Sequence, residues 1–199
     1  SIRADVLAFK EKIKDYSSPH SESVDFVVET VQGNIRLFGY MEPLFGDENQ
    51  IIEWRFAKYK DRYCIRPWLY YLIQLATKEN AMPPRIIAKD KDLTLKPIEK
   101  STALEKLKMY VEAYLQSHQQ IQLIPTENIA KFIEKDESAV NFDNVLTNIE
   151  SLAKDDNYGY RKADPYWARV FGQTEQFKSQ DGLLQLVKQT TSWFGEMLS

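Results

Sequence analysis

Gly39-Tyr40-Met41-Glu42, continued beyond Gly46-Asp47-Glu48-Asn49 by Ile51-Ile52-Glu53-Trp54-Arg55, is the stretch on which the reading of the fold turns. A cluster of turn formers between two β-rich runs predicts a β-hairpin. With Asp47-Glu48 as a two-residue loop, Gly46 faces Asn49 and the register continues to Glu42 opposite Glu53. Two such carboxylates would lie roughly 4.5–5.5 Å apart at Cβ, where like charges destabilise a sheet. A metal ion, a proton or a cation such as Arg55 has to compensate.

Period-two alternation puts Leu37, Gly39, Met41 and Phe45 with Ile52, Trp54 and Phe56 on a core-like face. Phe38, Tyr40, Glu42 and Leu44 with Ile51, Glu53 and Arg55 make a mixed face, which suits a catalytic cleft, a solvated surface or a domain interface. Upstream, Val24 to Val31 is strand-like and Gln32-Gly33-Asn34 is a turn, so the sheet is expected to be a three-stranded antiparallel meander. Ala4 to Asp15 has helical periodicity. Downstream, Pro67 suits the first turn of a helix over Ile65–Thr77 that is apolar over most of its surface. Arg85–Ala88 and Leu93–Lys96 read as short strands joined by a turn. From Ser101 the chain is helical in pattern, with further helices expected at Thr126–Phe132, Asn144–Lys154 and Gly182–Leu198, and a Pro-led start at Asp164-Pro165-Tyr166-Trp167. The expected class is α/β (α+β), with a small mixed sheet flanked by helices. Residues 1–199 are expected to form a single domain, with a sheet-containing core at 1–97 and a mostly helical part at 98–199.

The 199 residues, 43% hydrophobic and with 4 Trp, 11 Tyr and 10 Phe, are enough to build a substantial core. A net charge of −3 argues against sequence-independent nucleic-acid binding by the whole surface, though a local basic patch is compatible with it. Cys64 stands alone, so an internal disulfide and a thiolate metal cluster are excluded, and a reducing, cytoplasmic compartment is expected. His20 and His118 lack zinc-type spacing. No run of about 18 apolar residues marks a membrane span, and no signal-peptide core is present. A start at Ser1 rather than Met suggests a domain cut from a longer protein.

Lys58, Lys60, Arg62 and Arg66 alternate with Tyr59, Tyr63 and Trp68, a mixture used by grooves for single-stranded nucleic acid. The same run also reads as a solvated strand end leading into a buried helix. Asp155-Asp156-Asn157 lacks the spacing of a calcium loop. The closing helix is apolar enough either to belong to the core or to dock on a partner.

Gly39-x-x-Glu42, then Glu53-x-Arg55, then a helix with Trp68-Leu69 and Gln74, resembles the sheet-and-helix core of the PD-(D/E)xK, or restriction-endonuclease-like, nucleases. Phe38-Gly39, Trp54-Arg55, Trp68-Leu69 with Leu72, the Ala103–Leu115 helix and Tyr166-Trp167 extend the likeness over nearly the whole chain. It resembles the C-terminal domain of the gamma subunits (RecC) of exodeoxyribonuclease V. The resemblance implies a nuclease-like domain without a working site, inside a helicase–nuclease that processes double-strand breaks for repair and recombination. It further implies beta (RecB) and alpha (RecD) subunits as partners, DNA met through the complex, and no membrane.

A working site of that kind holds Mg²⁺ between two acids and uses a lysine two residues after the second. Glu42 and Glu53 match the acid positions, but the lysine position is Arg55, which stays protonated and cannot act as a base. The expectation is therefore a relic, in which Arg55 balances the acids, with no catalytic residue, no metal and no cofactor. Mg²⁺ is expected only if the relic is active. The alternatives are an active metal-dependent nuclease domain and a stand-alone single-stranded DNA-binding module.

Overall fold

The structure is a computed structural model that describes residues 2–47, 49–119, 124–153, 167 and 178–198. The chain divides into two compact units, Ser1–Gln122 with Glu196–Ser199, and Leu123–Gly195.

In the first unit, helix α1 (Ile2–Ile13) precedes a long antiparallel ribbon, β1 (His20–Thr30) and β2 (Gly33–Leu44). Its register runs from Thr30↔Gly33 through Val24↔Gly39 to Glu22↔Met41. Gly33 takes φ 115 at the tight turn, a conformation that costs glycine little. Then follow β3 (Gln50–Arg55), helix α2 (Ile65–Thr77), β4 (Met82–Ala88), β5 (Asp92–Thr94) and helix α3 (Lys100–Ser117). Strand β3 pairs parallel with β4, and β4 antiparallel with β5, giving a small mixed sheet in the order β3-β4-β5. Helix α2 is the crossover between the parallel strands, as a βαβ unit requires.

The mixed α/β class agrees with the sequence, but the central hairpin does not form. Among the described residues, strand β2 ladders only with β1, and β3 only with β4. The two runs touch through one antiparallel bridge, Gly46↔Ile51, and one hydrogen bond from Ile52 N to Phe45 O at 2.8 Å. Three local features separate them. Pro43 has no N–H to donate to a ladder with β3. Asp47 Oδ1 accepts from both Asn49 N and Gln50 N at 2.8 Å, which replaces a two-residue hairpin loop by a side-chain-closed turn. Ile51, Ile52 and Glu53 are buried in succession, so both faces of β3 are covered, as a parallel strand demands. The three-stranded meander is thus replaced by a ribbon and a separate mixed sheet, and Glu42 does not oppose Glu53.

The core of this unit joins these pieces. Phe9 and Ile13 of α1 pack on Ile52 and Ile87, and Val24, Met41, Leu44 and Ile51 gather with Tyr70 and Ile73 of α2. Trp68 is fully buried and donates Nε1–H to Tyr110 Oη of α3 at 3.1 Å.

In the second unit, Phe132, Val145, Ile149, Leu152, Trp167, Leu183, Leu186 and Val187 form one core, built largely from helices α4 (Phe142–Ala153) and α5 (Gln180–Leu198). The closing helix therefore spends Leu183 and Leu186, with Val187, on the core. The helix expected at Thr126–Phe132 is only a 3-10 turn, Ile129–Phe132, entered through Asn128 at φ 52, a left-handed residue that stops a helix from starting at Thr126. Asp155-Asp156-Asn157 and Asp164-Pro165-Tyr166 lie outside the described residues. Among the described residues no helix is long and apolar enough to cross a membrane.

Candidate functional site

Strand β3 carries Glu53 into the interior at 4% exposure, and the chain then bends back through a 3-10 turn, Asp61–Cys64, into α2. That path puts Arg55 and Arg66 on either side of the same carboxylate. Arg55 Nε donates to Glu53 Oε1 at 2.9 Å, and Arg66 Nη2 donates to Oε2 at 2.6 Å. Each oxygen of the acid thus has its own guanidinium, in the short, charge-assisted geometry of strong ion pairs. Both arginines reach solvent, with side chains 52% and 39% exposed, while that of Glu53 is 5% exposed. The sequence singled out Arg55 as the balancing cation. It missed Arg66 in this part, although an arginine in the first turn of the crossover helix sits at the level where the parallel strands end.

Glu42 is elsewhere. It is exposed near the end of β2 and lines a shallow groove with Pro19, His20, Ser21 and Pro43. On the neighbouring strand β1, Glu22 gathers a polar cluster that sequence patterning did not flag. Lys78 Nζ donates to Glu22 Oε1 at 2.7 Å, Gln74 Nε2 approaches both its oxygens at 3.2 and 3.3 Å, and His20 Nε2 is 3.9 Å away. Only the four-residue spacing of Gln74, in the last turn of α2, and Lys78, its C-cap, hints at this in the sequence.

The magnesium implied by a nuclease-type centre needs at least two acids with free oxygen lone pairs. The charge of Glu53 is already balanced by two guanidinium groups that would repel the ion, and Glu42 is on the other sheet. Among the described residues no three of His, Cys, Asp and Glu gather so as to hold a metal ion. The residues at this position do not fit that ion, and the arrangement is chemically an ion-pair clamp tying β3 to α2.

The predicted basic residues adjoin the clamp. Lys58 and Lys60 lie on the loop after β3, and Arg62 on the 3-10 turn. The guanidinium carbons of Arg55 and Arg62 stand 5.8 and 5.9 Å from the Tyr63 ring centre. The structure adds two lysines from the β4–β5 turn. Lys91 Nζ lies 4.1 Å from the Tyr59 ring centre and Lys89 Nζ 5.4 Å from that of Phe56. Beneath them Tyr59 Oη and Cys64 Sγ are 3.3 Å apart, and burial pushes the Cys64 thiol up to about 11 and the Tyr59 phenol well above its usual range.

The family described as "RecC C-terminal domain" matches residues 1–137 of this chain. The chain is also 50% identical over 200 residues to the "RecBCD enzyme subunit RecC" of Haemophilus influenzae, a match covering 98% of the chain and 17% of that protein. The chain therefore spans about a sixth of the length of that curated relative. A family match over most of the chain, together with half-identity along nearly all of it, shows that the chain belongs to the RecC C-terminal domain family.

Proposed function

We propose that this chain is a non-catalytic domain of the gamma subunit of an exodeoxyribonuclease V (RecBCD-type) helicase–nuclease, acting in double-strand break repair and recombination. Its role there is to scaffold the assembly and guide DNA strands. Its partners are the beta (RecB) and alpha (RecD) subunits and, through the complex, DNA, in the cytoplasm. The family membership supports the setting.

One observation carries the non-catalytic reading: a guanidinium sits on each Glu53 oxygen, at 2.9 and 2.6 Å, so the acid's charge is already balanced by cations that would repel a metal ion. Glu53, Arg55 and Arg66 on this reading are architecture, and Glu42 is a surface acid. Lys58, Lys60 and Arg62 are the candidate DNA contacts, Arg66 having turned to Glu53.

Titration of the full-length protein with Mn²⁺, alongside an oligonucleotide cleavage assay, tests the proposal. The expected result is no binding and no cleavage that depend on Glu53. Saturable Mn²⁺ binding and cleavage, both abolished in Glu53→Gln, would overturn it.

A further inference from the structure

The loop after β3 and the turn between β4 and β5 are built as one surface. Lys89 N donates to Ala57 O at 2.9 Å, and Tyr59 N donates to Asp90 Oδ1 at 2.7 Å, so one backbone bond and one backbone-to-carboxylate bond lock residues 57–59 to residues 89–90. Both segments leave the carboxyl ends of the parallel strands β3 and β4, the edge of an α/β sheet where ligands bind most often. Although the chain has a net charge of −3, Lys58, Lys60 and Arg62 stand after β3 against the one acid Asp61, Arg55 and Arg66 being spent on Glu53. On the turn, Asp90 lies between Lys89 and Lys91 and spends a carboxylate oxygen on Tyr59 N–H.

The aromatic rings in this surface lie against cations, as the Lys91–Tyr59 and Lys89–Phe56 pairs do. A ring face covered in that way holds the ammonium group in place and is not offered to a base. Lys89 also pairs with Asp5 at 3.0 Å, with both side chains 45% exposed, a surface contact weak enough for a phosphate to displace. A surface whose outward groups are cations reads charge rather than sequence.

We infer that the joined loops at the carboxyl ends of β3 and β4 form a rail for the phosphodiester backbone of a DNA strand, with Lys89 and Lys91 of the β4–β5 turn working beside Lys58, Lys60 and Arg62. The inference rests on the proposed setting in a DNA-processing complex and names the surface that meets the strand. Recognition is independent of base identity and falls steeply with salt, because phosphate neutralisation releases counterions.

Lysine acetylation footprinting of the full-length protein, read by mass spectrometry with and without oligo(dT) at low salt, tests the rail locally. Lys58, Lys89 and Lys91 should be modified at least about threefold more slowly with the strand bound, and the protection should fade as KCl is raised. The exposed lysines Lys10, Lys108 and Lys135 serve as controls and should react at unchanged rates. Oligo(dA) should protect as well as oligo(dT). Replacing Lys58, Lys89 and Lys91 together by Gln should lower the salt slope of oligo(dT) binding by about 2, at roughly 0.7 per single-strand phosphate contact. Equal modification of these lysines with and without DNA, or protection by an acidic peptide alone, would sink the rail. A flat footprint would leave the scaffold reading standing, whereas Glu53-dependent cleavage with an intact footprint would remove that reading and keep the rail.

Discussion

Glu53 sits at 4% exposure with a guanidinium on each oxygen, and removing its two sides is not symmetrical. Taking away both arginines leaves a buried carboxylate without compensation, a loss of about 3–5 kcal/mol. Taking away the acid releases arginines that already reach solvent, so Glu53→Gln should cost only about 1–2 kcal/mol. Urea unfolding of Arg55→Ala/Arg66→Ala beside Glu53→Gln measures the difference, and equal costs would contradict the clamp. Cys64 gives a second expectation, in pH. Burial is the largest cause of its raised pKa, so the folded chain keeps a thiol proton that the unfolded chain releases. Stability from this group is fully present below the unfolded thiol value, about 8.5, and is lost as pH rises from there through about 11. Cys64→Ala should flatten that alkaline decline in denaturation midpoints, and an unchanged slope would assign the decline to other groups such as Tyr59.

Between residues and fold, the junction of β2 and β3 decides the topology. Gly46 has φ 105, and a Cβ there would lie 2.2 Å from the backbone oxygen of Gln50, which has no side-chain freedom with which to move away. Gly33 has φ 115 but open space around it. Gly46→Ala should therefore cost more than Gly33→Ala, the latter bearing only backbone strain of about 1–3 kcal/mol. Chemical denaturation of the two variants checks the order, and a smaller loss at Gly46 would mean that the junction is not tightly held. The same junction shows what was legible in the sequence. Helix α2 could be read from its apolar run and Pro67, and the β1–β2 turn from Gln32-Gly33-Asn34, because local chemistry settles both. Pairing of β3 is non-local, and the turn formers at Gly46–Asn49 outweighed the contrary signals from Pro43 and the unbroken Ile51-Ile52 run. Burial on both faces and a strand–helix–strand order were present in the sequence, and together they point to a parallel partner. Arg66 was invisible as a clamp residue for the same reason: its contact with Glu53 exists only once the crossover closes.

For the molecule as a whole, the question is whether a motif or a constellation makes a nuclease. Along the chain, Glu42 and Glu53-x-Arg55 differ from an active pattern by small steps, and Arg55→Lys would restore the lysine two residues after the second acid. In the fold those residues are not a unit, because Glu42 belongs to the β1–β2 ribbon and Glu53 to the β3-β4-β5 sheet. Arg66 would still hold Glu53 Oε2 in such a variant. Metal-assisted hydrolysis requires the acids to share one ion, and one corrected side chain does not supply the missing second ligand. Arg55→Lys should therefore leave cleavage of single- and double-stranded oligonucleotides at the level of the no-protein control in both Mg²⁺ and Mn²⁺. Its stability should change by no more than about 1 kcal/mol, since lysine still reaches a neighbouring carboxylate as a point charge. Cleavage that appears in Arg55→Lys and disappears when Glu53→Gln is added would show that the fold retains a latent centre, and that the separation of the two sheets is no barrier to it.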